Sequence, residues 1–294
     1  MKIEKYIIYL FVLIAVLLTS CSNDDTDFGE QYKKTIFFVN SQGMLYTDTC
    51  ACGENDNVLT YSVYCASSEP IKSDLTITLS RMPEALDSLN HLQSLGNPLY
   101  VPKVLMPEIN YTFEDSVVTI KAGQQYGLLK VPYIMTGLDP DQQYALPLKI
   151  VSNSQGYDVN KDLNIIIIQI KRINGYSGEF SGCSIELPNS IIRSVVPVLE
   201  AMSANTLRMP IHTLSSDVTF HDTNFMILKI AGDSTAVTIE PWMNAIVTDL
   251  GGSTYDKKKL YFDLNYSFTD SLGREFIIHE KIGNMEYKDD GDDE

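Results

Sequence analysis

Asn265-Tyr266-Ser267-Phe268-Thr269, then Asp270-Ser271-Leu272-Gly273, then Phe276-Ile277-Ile278-His279 decide the fold of this chain. Two runs rich in aromatic and β-branched residues flank a short polar turn, and Gly273 brings the freedom at positive φ that such a turn uses. That is a β-hairpin. Working back from it, residues 206–212, 225–230, 236–241 and 259–269 read as further strands separated by turn residues. Consecutive strands that finish in a hairpin predict a small up-and-down barrel or meander.

The first half reads the same way. Leu75-Thr76-Ile77-Thr78-Leu79 alternates apolar with polar, and 58–66 places Leu59, Tyr61, Val63 and Cys65 on one face. A period of two marks a half-buried strand. Ile165-Ile166-Ile167-Ile168 is apolar on consecutive positions, which predicts a strand covered on both faces. Further strands are expected at 34–39, 116–121, 127–135 and 144–151. One short helix is expected at 83–95, where Leu86, Leu89, Leu92 and Leu95 recur at three-residue spacing before Gly96-Asn97-Pro98. This pattern predicts an immunoglobulin-like antiparallel sandwich. A boundary falls near Arg172-Ile173-Asn174-Gly175. Between 188 and 204, Ile191, Val195, Val198 and Met202 would form a helical stripe, but Pro197 inside it would cost a helix about 3 kcal/mol, which favours extended chain.

The chain has 294 residues, 22 basic and 38 acidic, for a net charge of −16. It must be divided before that charge is interpreted. Met1 to Ser20 begins with Lys2 and Lys5 and continues as an apolar run from Tyr6 to Leu18, too short to span a bilayer comfortably. Leu17-Leu18-Thr19-Ser20-Cys21 resembles the lipobox of bacterial lipoproteins. That resemblance implies a cleaved signal peptide, a lipidated Cys21 and a protein anchored to the outer membrane without spanning it. Ser22-Asn23-Asp24-Asp25 resembles the export signal of Bacteroidetes surface lipoproteins, which implies a location facing the cell exterior. Without Lys2, Glu4 and Lys5 the chain carries 20 basic against 37 acidic residues. Such acidity excludes a nucleic-acid binder, which needs a basic stripe to neutralise phosphates. It also points away from sulfated or uronic glycans. The expected organisation is a signal peptide at 1–20, an acidic tether at 21–33, the sandwich at 34–173, a lipocalin-like β domain at 174–287 and an acidic tail at 288–294.

Cys50 and Cys52 stand too close in sequence to pair with each other. Either would close a loop of about fifteen residues with Cys65, worth roughly 3 kcal/mol in the chain-entropy model. Reduced thiols are the equal alternative. A zinc site lacks a second close pair and a nearby His. For catalysis, His91, His212, His221 and His279 form no metal-binding spacing, there is no G-x-S-x-G elbow, and Gly251-Gly252-Ser253 has no phosphate-loop Lys. Glu179, Glu186, Glu200 and Glu240 are no more a glycosidase pair than the carboxylates of any acidic chain. No catalytic residue, metal ligand or cofactor is therefore assigned, and no enzymatic activity is expected. A sugar is held by an aromatic ring with polar side chains beside it. The candidates are Trp242 and Asn244 in Pro241-Trp242-Met243-Asn244, and Tyr255 beside the Gly251-Gly252 turn. A packed, structural aromatic is the alternative for Trp242 and Tyr255.

Ile109-Asn110-Tyr111-Thr112-Phe113, 116–123 and 144–150 resemble a domain of unknown function found at the N-terminus of Bacteroidetes lipoproteins from polysaccharide-utilisation loci. Some of these carry family-18 glycosidase-like modules. Asn174-Gly175-Tyr176-Ser177-Gly178 and the stretch from Ser253 to Tyr266 resemble the lipocalin-like domain that often follows. The resemblance implies capture of a neutral oligo- or polysaccharide beside an importer and a glycan-binding lipoprotein. It transfers no binding residues. A fimbrial-type adhesive protein and an unrecognised glycosidase are the alternatives.

Overall fold

The computed structural model describes residues 32–53, 57–97, 99–113, 116–233 and 235–284. Cys21, the Ser22, Asn23, Asp24 and Asp25 stretch and the acidic tail lie outside the described residues. In the first half the elements are β1 (Thr35–Phe38), β2 (Leu45–Ala51), β3 (Asn57–Ala66), β4 (Leu75–Arg81), α1 (Pro83–Gly96), β5 (Lys103–Leu105), β6 (Val117–Ile120), β7 (Tyr126–Tyr133), β8 (Gln143–Asn153), β9 (Asp158–Val159) and β10 (Ile165–Ile173). They form two sheets, ordered β7-β3-β1-β9 and β2-β10-β8-β4-β6, with β5 added to β8. Alternation decides which face is buried: every second residue of β7 is buried. Ile36, Phe38 and Val63 of one sheet meet Ile77, Leu148 and Ile166 of the other in a single core. The isoleucine run of β10 is covered on both sides, as its sequence requires. Ile166 and Ile168 face the sandwich core, while Ile167 packs with Ala85, Leu86 and Leu89 of α1. Only the first half of the α1 stripe is used, because Leu92 and Leu95 stay exposed.

This is the expected immunoglobulin-like sandwich with one departure. β1–β9, β2–β10 and β5–β8 are parallel pairs. Residue alternation fixes a face and carries no direction, so these pairings were not legible from it.

Of the two alternatives left open for the cysteines, the structure has the reduced one. Cys50, Cys52 and Cys65 are buried thiols and none is disulfide-bonded. Cys50 lies on β2, whereas Cys65 lies on β3 opposite Ile36, so the two belong to different sheets and serve as small apolar core residues. Burial pushes the Cys52 and Cys65 thiols up from their ordinary range, which keeps them protonated. In an ectodomain lacking Cys21, these three thiols should resist an aromatic disulfide reagent until denaturant is added. Immediate reaction in the native state would contradict their burial.

The second half contains β11 (Gly178–Leu187), β12 (Ile191–Val195), β13 (Val198–Ser203), β14 (Thr206–Pro210), the short α2 (His221–Asn224), β15 (Phe225–Ile230), β16 (Val237–Pro241), β17 (Val247–Asp249), β18 (Thr254–Asp256), β19 (Tyr261–Thr269) and β20 (Glu275–Asn284). The sheet runs β16-β15-β14-β13-β11-β20-β19-β17, with β12 on β11 and β18 on β19. Its ends meet: Val237 N–H donates to the Ser253 carbonyl at 3.0 Å and Tyr255 N–H to that of Thr235 at 2.7 Å. The result is a nearly closed barrel filled by Phe180, Leu207, Met209, Leu228, Phe262, Leu264 and Ile282. Residues 191–203 are extended, as Pro197 demands. It sits between β12 and β13, and its carbonyl accepts the Phe180 N–H at 2.9 Å.

The two halves touch along β13 and β14. Ala201 of β13 belongs to the sandwich core. Just past the boundary, within the second half, Asn174 Nδ2 donates to the Ser203 carbonyl at 2.6 Å. Arg208 of β14, whose side chain is 1% exposed, reaches Asp141 of the sandwich at 2.5 Å.

Candidate functional site

Antiparallel pairing brings the ends of β11, β14 and β19 and the starts of β12 and β20 to one end of the barrel. A cleft of about 260 Å³ opens there, lined by Glu186, Arg193, His212, Phe268, Asp270, Arg274 and Phe276 among others. The hairpin that decides the fold builds one wall. Phe268 and Phe276 are direct partners across it, and their rings stack with centroids 5.1 Å apart and planes 14° apart. Phe268 is buried and Phe276 only partly so. At the turn, Arg274 Nε donates to Asp270 Oδ2 at 2.7 Å, and the guanidinium lies 5.6 Å from the Phe276 ring centre. Asp270 also accepts the Arg274 and Leu272 N–H groups, and these bonds hold its carboxyl below the usual range.

The opposite wall is the β11–β12 hairpin. Arg193 Nε donates to Glu186 Oε1 at 2.9 Å, and this bond, with one from His212, lowers the Glu186 pKa. Each cleft guanidinium is therefore matched by a carboxylate, and the walls alternate planar donors with planar acceptors.

His212 forms the floor, with a side chain only 3% exposed. Its φ of 49° is left-handed, a conformation His adopts more readily than most residues. That turn sends its N–H to the Tyr266 hydroxyl at 3.1 Å and its ring toward the cleft. Nε2 meets Glu186 Oε1 at 3.1 Å and Nδ1 meets Ser184 Oγ at 2.8 Å. Burial depresses the imidazole pKa, although Glu186 opposes this, so the ring is neutral at pH 7. Behind it, inside the barrel, stands Glu280, fully buried. Its Oε2 accepts from Tyr266 at 2.6 Å and contacts Ser184 Oγ at 3.3 Å, while Oε1 has no partner. Burial raises its pKa to about 7.

The residues singled out from sequence lie elsewhere. Tyr255 is not on an open loop. It is 2% exposed inside the barrel, packed edge-on to Tyr176 and tilted against Phe262, which removes it as a ligand contact. Trp242 is no open platform either. Its ring lies 5.2 Å from the Arg208 guanidinium at the domain junction, and its Nε1 is buried without a hydrogen-bond partner. Asn244 alone of the three is exposed, with its N–H bonded to the Asp222 carbonyl at 2.8 Å. Among the described residues, no group of three or more His, Cys, Asp and Glu is placed to hold a metal ion. Sequence reading missed the cleft because its residues come from three stretches far apart in the chain, 186–193, 212–214 and 268–276. The one local signal was Phe268 and Phe276 spaced evenly about Asp270-Ser271-Leu272-Gly273-Arg274.

Fold and cleft together define an all-β, two-domain protein: an immunoglobulin-like sandwich followed by a lipocalin-like barrel. A family model described as an N-terminal domain matches residues 32–156, and a companion C-terminal model matches 164–284. The chain thus carries an N-terminal and a C-terminal domain of the kinds these two models describe, and the likeness read in residues 109–150 and in the second half holds. No curated protein matches. Similar solved structures come from Bacteroides. A Bacteroides ovatus protein of unknown function is 21% identical with a TM-score of 0.62, over 84% of this chain and 90% of that one. A multidomain Bacteroides ovatus protein is 17% identical with a TM-score of 0.63, over 86% and 93%. An auxiliary nutrient binding protein from Bacteroides thetaiotaomicron is 17% identical with a TM-score of 0.55, over 84% and 91%. At these identities the likeness establishes the fold.

Proposed function

We propose that this protein is a non-catalytic lipoprotein of the outer cell surface that captures a neutral glycan at the barrel-end cleft, beside an importer and its glycan-binding lipoprotein. The observation that carries the reading is the cleft's composition. Phe276, partly exposed and stacked on the buried Phe268, offers an apolar face for sugar C–H groups. The Arg193–Glu186 and Arg274–Asp270 pairs offer planar donors and acceptors for hydroxyls. Because each pair is internally neutral, the cleft suits an uncharged ligand, and its volume has room for about one pyranose ring. The name of the Bacteroides thetaiotaomicron relative, an auxiliary nutrient binding protein, is in keeping with this role. The lipobox-like segment ending at Cys21 and the acidic stretch after it support anchorage and exposure on the cell surface.

Phe276→Ala and Arg274→Ala should each weaken retention in a polysaccharide affinity gel about tenfold or more, the equivalent of roughly 1.4 kcal/mol. The glycan itself is to be found first on a glycan array with the purified ectodomain. Unchanged mobility of both variants would clear the cleft of this role, and turnover of a chromogenic glycoside would replace the reading with an enzymatic one. The adhesive alternative has one observation in its favour. β12 pairs only with β11 among the described residues and carries Ile191 and Ile192 exposed, a free apolar strand edge.

A further inference from the structure

We propose that Glu280 is a positioning residue for the cleft: through Ser184 it decides which ring nitrogen of His212 carries the proton, and so whether Glu186 is held or released. The inference rests on reading the cleft as the binding site, but it is testable without a ligand.

One line of contacts runs Tyr266 Oη–Glu280 Oε2–Ser184 Oγ–His212 Nδ1, then His212 Nε2–Glu186 Oε1–Arg193 Nε, and its donors can be counted. His212 N–H already donates to the Tyr266 oxygen, so the tyrosine proton is directed to Glu280. With Glu280 protonated on Oε2, that proton goes to Ser184, the Ser184 proton goes to His212 Nδ1, and the His212 proton sits on Nε2 facing Glu186. Every donor then has an acceptor. With Glu280 ionised, Oε2 takes the Ser184 proton instead. Ser184 Oγ must then accept from His212, the ring proton moves to Nδ1, and the Nε2 lone pair faces the Glu186 carboxylate. That contact is repulsive and opens. Glu186 keeps Arg193 but loses its second anchor, and the acceptor geometry of the cleft changes. The proton count of His212 is the same in both states; only its position differs.

The groups that face this line are few. Tyr266 on β19, Ser184 and Glu186 on β11 and Arg193 on β12 are described above; Phe268 packs on the His212 ring, and Asp270 and Arg274 stand across the cleft. Apart from the Tyr176 and Tyr255 hydroxyls, the buried cluster that fills the rest of the barrel is apolar. The buried carboxyl titrates at about 7, so the rearrangement falls near neutrality. Glycan retention should weaken several-fold as the pH rises through 7.

The experiment is ¹⁵N NMR of the four histidines in the ligand-free ectodomain from pH 5.5 to 8.5, with His212 assigned by His212→Gln. In the wild type, the His212 Nδ1 and Nε2 shifts should exchange character near pH 7, the signature of a tautomer switch. Glu280→Gln keeps the amide in the place of the neutral acid and should hold the Nε2–H form throughout. Ser184→Ala should abolish the link while leaving Glu280 in place. A wild-type His212 that shows no exchange, or one that exchanges identically in Glu280→Gln, overturns the proposal. A switch seen with no glycan affected by Phe276→Ala would sink the binding reading and leave the switch standing.

Discussion

Gly182→Ala is expected to prevent the barrel from forming. Gly182 sits mid-strand in β11, opposite Ile282 of β20 on one side and Val195 of β12 on the other. A Cβ built there would lie 1.8 Å from the Lys281 carbonyl oxygen and 2.9 Å from the Ile282 Cα. No rotamer relieves this, because both atoms are backbone. The strands would have to separate along a pairing that runs from Phe180–Asn284 to Leu187–Ile277. A glycine inside a strand marks such a close approach. Overpacking a core costs about 1–3 kcal/mol when side chains can shift, and here they cannot, so the loss should exceed about 4 kcal/mol. The cleft would go with it, since Glu186, Phe276 and Glu280 ride on the same two strands. Near-ultraviolet circular dichroism and denaturant titration are the measurements. Gly175→Ala is the control, for a Cβ there meets nothing within 4 Å. A Gly182→Ala protein that unfolds at the wild-type midpoint would show that β11 and β20 do not approach as described.

What the sequence disclosed and what it hid follow one physical division. Alternation, isoleucine runs and turn residues are local signals. They were enough to place the Leu75–Leu79 strand, the doubly covered Ile165–Ile168 run and the closing hairpin. Direction and closure are not local. The parallel pairing of β2 with β10 joins segments more than a hundred residues apart, and nothing in either segment announces the other. The same holds for the cleft. Trp242 and Tyr255 drew attention as aromatics near turns, a property of composition. Their burial depends on which strand lies across from them: Phe262 for Tyr255, and the outer face carrying Arg208 for Trp242. Glu280 is the sharpest case. Between His279 and Lys281 it reads as one more surface charge. Only the strand parity that puts Ile278 and Ile282 inward shows that it must point inward too.

Arg208→Ala is the second large effect, and it bears on how the two halves hold together. The guanidinium is 1% exposed, donates to Glu200 Oε2 through Nε at 2.9 Å and Nη2 at 2.7 Å, and to Asp141 Oδ1 through Nη1 at 2.5 Å. Phe225 and Trp242 cover it, each ring centre 5.2 Å away. His221 adds a second bond to Asp141 at 2.8 Å. Removing one partner of a buried ion pair typically costs 3–5 kcal/mol. The low end, about 3 kcal/mol, is expected here, because Glu200 is 41% and Asp141 25% exposed and both regain water. Arg208→Lys should recover little, since a single ammonium cannot span two carboxylates on different domains. Burial alone would raise the Asp141 pKa, but the bonds from Arg208 and His221 outweigh it and hold the carboxyl below its ordinary value near 4. A lowered carboxylate pKa contributes stability that is in place above the unfolded value and is lost as the pH falls through the folded one. The wild type should therefore keep this contribution down to about pH 4 and lose it below, whereas Arg208→Ala should lose the share that Arg208 supplies at every pH and keep only that of His221. Calorimetry separates the two consequences. If Arg208 couples the domains, the variant should unfold in two transitions where the wild type shows one. A single transition at an unchanged temperature would mean that the junction is held by the packing of Ala201 and not by this ion cluster.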